Sequence, residues 1–281
     1  MKIRIMTDST CDLSPAYVRD HHVTVIPLTV NLDGKAYADD GVEITPDHIF
    51  ATVAGGADLP KTSAVNVEDY KSIFTEALKT CDAIVHFAIS AEFSSCHANA
   101  LLASEGLPVY CVDSRNLSSG IGLLVAEAVE MVEAGCGDPE AIVERCKALT
   151  GKVDCSFILN RLDYLHKGGR CSMVAMLGAN MLHLKPCIEV VDGGMIVGRK
   201  FRGSYDRCVK QYVEDRLRDP DALDARRAVI VHTNLSPDQI AAVRAVVESR
   251  KRFDEIFEVR AGSTICSHCG EDTMGLILMR K

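Results

Sequence analysis

Two continuous apolar runs, each followed by an amphipathic helical pattern, constrain the fold of this chain most strongly. Residues 83–89 read AIVHFAI and residues 108–113 read PVYCVD, and helical periodicity follows them at roughly 95–105 and 119–134. A short apolar run predicts a strand that is buried on both faces, and alternation of such strands with helices indicates a parallel sheet. We therefore expect residues 1–152 to form a parallel-sheet α/β domain.

The pattern changes in the second half of the chain, where hairpin signals mix with helices. Asp192-Gly193-Gly194 predicts a hairpin turn, and Ser236 with Pro237 predicts the start of a helix. Residues 172–184 are apolar on nearly every side and predict a buried helix, and the chain is expected to end in strands. These signals predict an α+β domain over residues 153–281.

Composition narrows the possible functions and partners. The 281 residues are 47% hydrophobic, which is enough to build two domains. A formal net charge of −8 argues against a nucleic-acid partner, because binding phosphates requires a basic surface. No apolar run approaches the roughly 20 residues of a membrane span, and the opening MKIRIMTDST lacks the apolar stretch of a secretion signal. We therefore expect a cytoplasmic location.

The twelve cysteines favour buried apolar roles over a disulfide framework, since most of them sit in apolar runs. Cys266 and Cys269 flank His268 in the sequence CSHC. Zinc requires four ligands and a redox pair is normally found at a helix start, whereas this stretch is expected to be a loop between two strands. We predict no metal site, and a metal or thiol sensor remains an alternative.

Three polar loops carry candidate binding residues, each with a simpler structural interpretation. Asp8 follows the first predicted strand and is either a functional carboxylate or a cap. Thr62 either contacts an anion or marks the start of a helix, and the same choice applies to Ser94. Gly120 and Gly122 lack the third glycine and the later acidic residue of a dinucleotide-binding fingerprint, so no nicotinamide or flavin site is expected there.

Six segments occur together in one known family, and the resemblance covers essentially the whole chain. They are TDSTCDL at 7–13, KTSAV at 61–65, ISAEFSS at 89–95, VDSRNLSSGIG at 112–122, LDYLHKGGR at 162–170 and SHCGEDTMG at 267–275. The sequence resembles the DegV family, the bacterial fatty-acid-binding proteins that act as the lipid-carrying component of fatty acid kinase. The resemblance implies two domains with a long-chain fatty acid, such as palmitate, stearate or oleate, between them.

The resemblance also implies roles for individual residues. Thr62, Ser94 and His268 match the family's contacts to the fatty-acid carboxylate, and the backbone N–H of Ser95 is expected to join them. Arg170 and Arg202 match arginines that the family links to kinase docking or phosphate handling. Two positions depart from the family pattern, at SSCH and at HCGED, where Glu271 and Asp272 would oppose anion binding if they pointed inward.

The predicted apolar helix acquires a role from this resemblance. Methionine adapts to irregular apolar shapes, so an acyl tunnel is an alternative to a plain core helix. Each buried CH₂ contributes about 0.8 kcal/mol, so a long tail supplies most of the affinity and the polar side chains satisfy the head group. The expected tunnel residues are Met173, Met176, Leu177 and Met181, with Gly178 and Ala179 leaving room.

The resemblance implies a lipid-binding protein without catalytic activity or cofactor. Its expected partner is an ATP-dependent kinase subunit that phosphorylates the bound carboxylate for lipid synthesis, and peripheral contact with a membrane is compatible with this role. One alternative is a serine hydrolase or acyl-transfer enzyme with Ser94 as nucleophile and His268 as base, which requires an orienting group and an oxyanion hole. Another alternative is an interaction module without an internal cavity.

Overall fold

The computed structural model describes residues 1–171 and 184–281. The helix expected at 172–184, with Met173, Met176, Leu177 and Met181, therefore lies outside the described residues except for Leu184, which begins a strand. The strands are β1 (Ile3–Asp8), β2 (Thr24–Ile26), β3 (Thr29–Leu32), β4 (Lys35–Ala38), β5 (Lys61–Ser63), β6 (Ala83–Ala88), β7 (Val109–Asp113), β8 (Val153–Leu159), β9 (Leu184–Val191), β10 (Gly194–Arg202), β11 (Leu223–His232), β12 (Glu255–Arg260) and β13 (Thr273–Arg280).

Ten α-helices are found among the described residues, together with short 3₁₀ turns at Ser9–Cys11 and Pro220–Ala222. The helices are α1 (Pro15–Asp20), α2 (Pro46–Ala54), α3 (Val67–Ala77), α4 (Cys96–Ala103), α5 (Ser119–Glu133), α6 (Pro139–Thr150), α7 (Asp163–Gly168), α8 (Tyr205–Arg216), α9 (Pro237–Arg250) and α10 (Ser263–Cys269).

The first sheet is parallel and has the strand order β2-β1-β6-β7, as the alternating pattern predicts. All six residues of β6 are buried, which matches the continuous apolar run that predicted this strand. Helix α5 contacts strands of this sheet and also β8 and β13 of a second sheet. Its first eleven residues are buried because the helix lies between the two sheets.

A small antiparallel sheet has the order β4-β3-β5. Asp33 and Gly34 form the hairpin turn between β3 and β4, and both have positive φ. Residues 61–63, which were considered as the start of a helix, form the edge strand β5, where Thr62 pairs with Val30. The helix that follows is α3, and the side chain of Asn66 caps it.

The second sheet has six strands in the order β10-β9-β8-β13-β11-β12. All neighbouring pairs are antiparallel except β11 and β12, and the β9–β10 hairpin turns at Asp192 and Gly193 as predicted. One face of this sheet packs into the core shared with the first sheet, and α8 and α9 cover the other face. The α/β fold with a mixed second half is therefore confirmed.

A buried hydroxyl ties α8 to the second sheet. Tyr212 Oη donates to the carbonyl of Ser156 at 2.7 Å and accepts the N–H of Leu276 at 3.0 Å. We expect Tyr212→Phe to lower the free energy of unfolding by about 1–3 kcal/mol, because the buried N–H loses its partner. Urea denaturation measures the change.

The matched control is Tyr205→Phe on the same helix. The Tyr205 hydroxyl is buried and has no hydrogen-bond partner among the described residues, so its removal should leave stability unchanged or raise it. Equal losses in the two variants would show that the bonds of Tyr212 contribute nothing specific.

Candidate functional site

A small cavity lies where β5, the loop after β6 and helix α10 meet. Its volume is about 50 Å³. The polar side chains that line it are Thr62, Ser94, Arg170, Thr264 and His268, and apolar lining includes Leu28, Ile89, Phe93, Leu117, Met195 and Ile265. The structure thus brings together four residues that the sequence singled out, Thr62, Ser94, Arg170 and His268, from segments that are far apart in the chain.

His268 lies on α10 and is joined to the edge strand β5. Its Nε2 atom is 2.8 Å from the hydroxyl oxygen of Thr62. Burial, with a smaller contribution from the guanidinium of Arg170, lowers the pKa of His268 to about 4. The imidazole is therefore neutral near pH 7, with one nitrogen as donor and the other as acceptor.

The other ring nitrogen of His268 lies against Gly168 at the end of α7. Nδ1 is buried without a hydrogen-bond partner among the described residues. A Cβ atom at position 168 would overlap Nδ1, so the missing side chain of Gly168 is what allows the ring to occupy this place. Gly168 therefore shapes the site.

Ser94 follows β6 at the carboxyl end of the parallel sheet, where open α/β sheets place ligands. Its hydroxyl accepts the N–H of Cys96, the first residue of α4, at 3.2 Å, and the residue also lines the cavity. Ser95 is exposed and lies outside the described cavity lining, and its hydroxyl accepts from the Asn99 side chain at 3.4 Å.

The two predicted arginines occupy different places. Arg170 reaches the cavity, where Nη1 donates to the carbonyl of Gly168 at 2.7 Å and Nε donates to the carbonyl of Phe93 at 3.4 Å. Arg202 is exposed at the end of β10 and is not among the described residues that line the cavity. Of these two arginines, Arg170 is therefore the one that supplies positive charge at the site.

The two acidic residues after α10 are engaged elsewhere. The Glu271 carboxylate lies 3.7 Å from the guanidinium of Arg161, and the Asp272 carboxylate accepts from the Asn160 side chain at 2.9 Å. Neither is among the described residues lining the cavity. The charge expected to oppose anion binding is thus turned towards other polar groups.

The thiols of the CSHC segment are buried. Burial raises the pKa of Cys269 to about 12 and the pKa of Cys266 well above its usual range. Both thiols therefore stay protonated, which opposes metal binding and thiol–disulfide chemistry. Within residues 1–171 and 184–281, no group of three or more metal-ligating side chains is found.

The expected loop around His268 is wrong, because residues 263–269 form the helix α10. Its first N–H groups bond to carboxylates of Asp12 and Asp39, more than 220 positions earlier in the chain. Asp12 belongs to the segment TDSTCDL but carries no functional signal of its own in the sequence, and Asp39 carries none. Burial raises the pKa of Asp8 to about 6 and that of Asp12 to about 7.

Asp8 itself has a capping role. Its carboxylate accepts the N–H of Thr10 at 3.0 Å and the N–H of Ile89 at 2.8 Å. The simpler interpretation of this residue, a cap after the first strand, is therefore the one that the structure shows.

A larger groove of about 490 Å³ lies between α8 and α9, with Val209, Val243 and Val246 in its wall. None of the described residues that the sequence points to for ligand binding lines it. Size alone therefore does not single it out as the functional site.

Comparison with known proteins identifies the family. The sequence model described as "Uncharacterised protein, DegV family" matches residues 2–281. The chain belongs to the DegV family. A fatty acid-binding protein of Thermotoga maritima is 28% identical over the full length of both chains.

Solved structures of DegV-family relatives share the whole fold. A DegV family protein from Thermus thermophilus, described as binding fatty acid, has a TM-score of 0.91 at 31% identity, with both chains fully covered. A stearic acid-binding protein from Eubacterium ventriosum has a TM-score of 0.84 at 26% identity, covering 99% of this chain and 98% of its own. In the described part of this DegV chain, no helix has the length and apolar character needed to cross a membrane.

The low pKa of His268 leads to a measurable pH dependence. We expect ¹⁵N NMR to show the ring titrating near pH 4, and Arg170→Ala to raise this pKa without restoring the ordinary value, because burial is the larger cause. Between about pH 6.5 and pH 4 the ring is protonated in the unfolded state but not in the folded state. The free energy of unfolding therefore decreases as the pH falls through this range. Titration near pH 6.5 in the wild type would contradict the buried environment.

Proposed function

We propose that this cavity binds the carboxylate of a long-chain fatty acid. The observation that carries the proposal is the hydrogen bond between Thr62 and His268 inside a mainly apolar cavity that also contains Ser94 and Arg170. A buried carboxylate is costly unless its oxygens are hydrogen-bonded, and this site offers three hydroxyls, an imidazole and a nearby guanidinium. The names of the relatives agree with this ligand class.

The tautomer of His268 assigns a direction to the hydrogen bonds in this proposal. When Nε2 donates to Thr62 Oγ1, the hydroxyl proton of Thr62 is free to point at a carboxylate oxygen. Nδ1 is then the unprotonated nitrogen, consistent with its lack of a described partner. The imidazole would act on the carboxylate through Thr62. A neutral ring is sufficient for this role, because Nε2 donates to Thr62 and Nδ1 does not need to donate.

The acyl tail needs more space than the head-group cavity provides, since ligand pockets usually measure roughly 300–1,000 Å³. An apolar crevice of about 20 Å³ continues from the cavity, shares Leu117, Ile265 and Cys269 with it, and reaches Phe157 and Val231 of the second sheet. We propose that the tail extends from this junction, with the remaining wall supplied by Met173, Met176, Leu177 and Met181.

The wider role proposed here is that of a non-catalytic carrier in the cytoplasm. A separate ATP-dependent kinase component would phosphorylate the presented carboxylate, with Arg170 and Arg202 serving docking or phosphate handling. The chain would divide into domains at 1–152 and 153–281, which coincides with the start of the second sheet at Val153. A hydrolase is less well supported, because the described contact of His268 is to Thr62 and no orienting carboxylate of residues 1–171 or 184–281 reaches its Nδ1.

Denaturing extraction and mass spectrometry of the purified protein test lipid binding. We expect about one fatty acid per chain. Thr62→Val keeps the shape but removes the hydroxyl, and should weaken fatty-acid affinity roughly ten- to hundredfold, the effect of losing a hydrogen bond to a charged group.

Thr75→Val is the matched control, because its hydroxyl bonds only within the exposed surface of α3 and it should leave affinity unchanged. The absence of bound lipid from the wild type, together with no binding of added fatty acid, would overturn the proposal. Equal weakening in both threonine variants would remove Thr62 from the site.

A second measurement separates the arginines. Because Arg202 is exposed and away from the described cavity lining, Arg202→Ala should leave fatty-acid affinity within about twofold of wild type. With a kinase component that acts on the wild type, it should lower acyl phosphate formation at subsaturating protein. Loss of lipid without any change in phosphorylation of the remaining complex would reverse the proposed division of roles.

A further inference from the structure

Helix α10 begins at two buried carboxylates that come from a distant part of the chain. Asp12 accepts the N–H of Gly262 at 2.8 Å. Asp39 accepts the N–H of Ser263 at 3.1 Å and the N–H of Thr264 at 3.2 Å. Three successive backbone donors at the start of the helix are thus bound by side chains of the first 40 residues.

These bonds matter because α10 has only seven residues. A helix of about two turns is marginal in isolation, and its first N–H groups have no partner within the helix. Gly262, which precedes it, has no side chain that can cap them. An ionised carboxylate at this end is favoured by the helix dipole, and its bonds to N–H groups are charge-assisted. The direction of α10 is therefore fixed from outside the helix.

Both carboxylates are themselves held in place. Asp12 accepts from the Ser118 hydroxyl at 2.5 Å, and Asp39 accepts from the Ser9 hydroxyl at 2.9 Å. Ser9 Oγ in turn accepts the N–H of Leu28, which immediately precedes β3. The network that holds α10 is thus connected to the small sheet that carries Thr62.

His268 lies five residues after the start of α10, about 7.5 Å along the helix axis. Its hydrogen bond to Thr62 depends on where the helix lies, because a shift of about 1 Å would lengthen the 2.8 Å contact beyond ordinary hydrogen-bond range. Gly168 limits the ring on its other side. Little freedom is left for the imidazole to compensate for a displaced helix.

We propose that Asp12 and Asp39 are positioning residues of the head-group site, which act on His268 through the first backbone N–H groups of α10. The consequence for lipid affinity rests on the proposed function, whereas the consequence for the His268–Thr62 contact does not. The two carboxylates are not proposed to contact the ligand.

Substitutions distinguish the two carboxylates by their hydrogen-bond geometry. Asp12→Asn keeps an oxygen for Gly262 and gains an N–H that can donate to Ser118, so the helix should stay in place. Asp39→Asn turns one acceptor into a donor, which then faces either the N–H of Ser263 or both the N–H of Thr264 and the hydroxyl of Ser9. Asp12→Ala and Asp39→Ala remove the acceptors altogether.

The experiment measures the ¹⁵N shifts of the His268 ring and, separately, the affinity for oleate. Gly168→Ala serves as the reference for a displaced ring. Asp154→Asn is the control for loss of a buried carboxylate, since Asp154 bonds to Arg216 and Arg280 away from the cavity. We expect wild-type shifts for Asp12→Asn and Asp154→Asn, and shifts towards the reference for Asp12→Ala and Asp39→Asn.

Oleate affinity should follow the same order. Asp12→Ala and Asp39→Asn should lose about tenfold or more, and Asp12→Asn and Asp154→Asn less than threefold. If the Asp39 variants fail to fold, the two Asp12 variants decide the outcome. Wild-type ring shifts in Asp12→Ala and Asp39→Asn would overturn the inference. Failure of the wild type to bind oleate, with the predicted ring shifts present, would instead overturn only the proposed function.

Discussion

The hydrogen bond between Thr62 and His268 joins two residues that are 206 positions apart, and it is the contact on which the architecture of the site depends. Thr62 lies on an edge strand of the small sheet, and His268 lies on a short helix that packs against α2 and α7. Because buried polar groups must find partners, both elements have to dock accurately for the hydroxyl and the imidazole to meet. Packing of the surrounding core fixes the positions of the edge strand and the helix.

The cavity combines neutral donors with one nearby cation. Burial keeps His268 neutral, and Arg170 lies at the cavity with its guanidinium bonded to backbone carbonyls. Such a site favours binding of an anion. Because His268 is neutral, the site does not bury a second charge that would need an ionic partner of its own. A fatty-acid carboxylate suits this arrangement, because burial of the acyl tail can supply most of the binding free energy while the polar groups fix the position of the carboxylate.

Sequence reasoning predicted the fold well where a single physical signal dominated. The apolar run at 83–89 predicted a strand covered on both faces, and Asp192-Gly193 predicted a hairpin turn, and both are found. The edge strand β5 was not predicted, because three residues carry almost no periodicity. Its pairing with β3 is a tertiary property that no local pattern reports.

The site was harder to predict for the same reason. Thr62, Ser94, Arg170 and His268 were selected through the family resemblance, and their residue types alone left ordinary capping or surface roles open. The helical state of residues 263–269 depends on carboxylates at positions 12 and 39, so no window around His268 contains the information that fixes it. Asp39 is a buried acceptor whose sequence neighbours suggest only a turn.

A crystal structure of the protein loaded with a long-chain fatty acid tests most directly whether the Thr62–His268 cavity binds the carboxylate. We expect a carboxylate oxygen within about 3 Å of Thr62 Oγ1, with the tail leaving past Leu117 and Ile265. A carboxylate bound elsewhere, for example in the groove between α8 and α9, with the Thr62–His268 cavity unchanged, would contradict it.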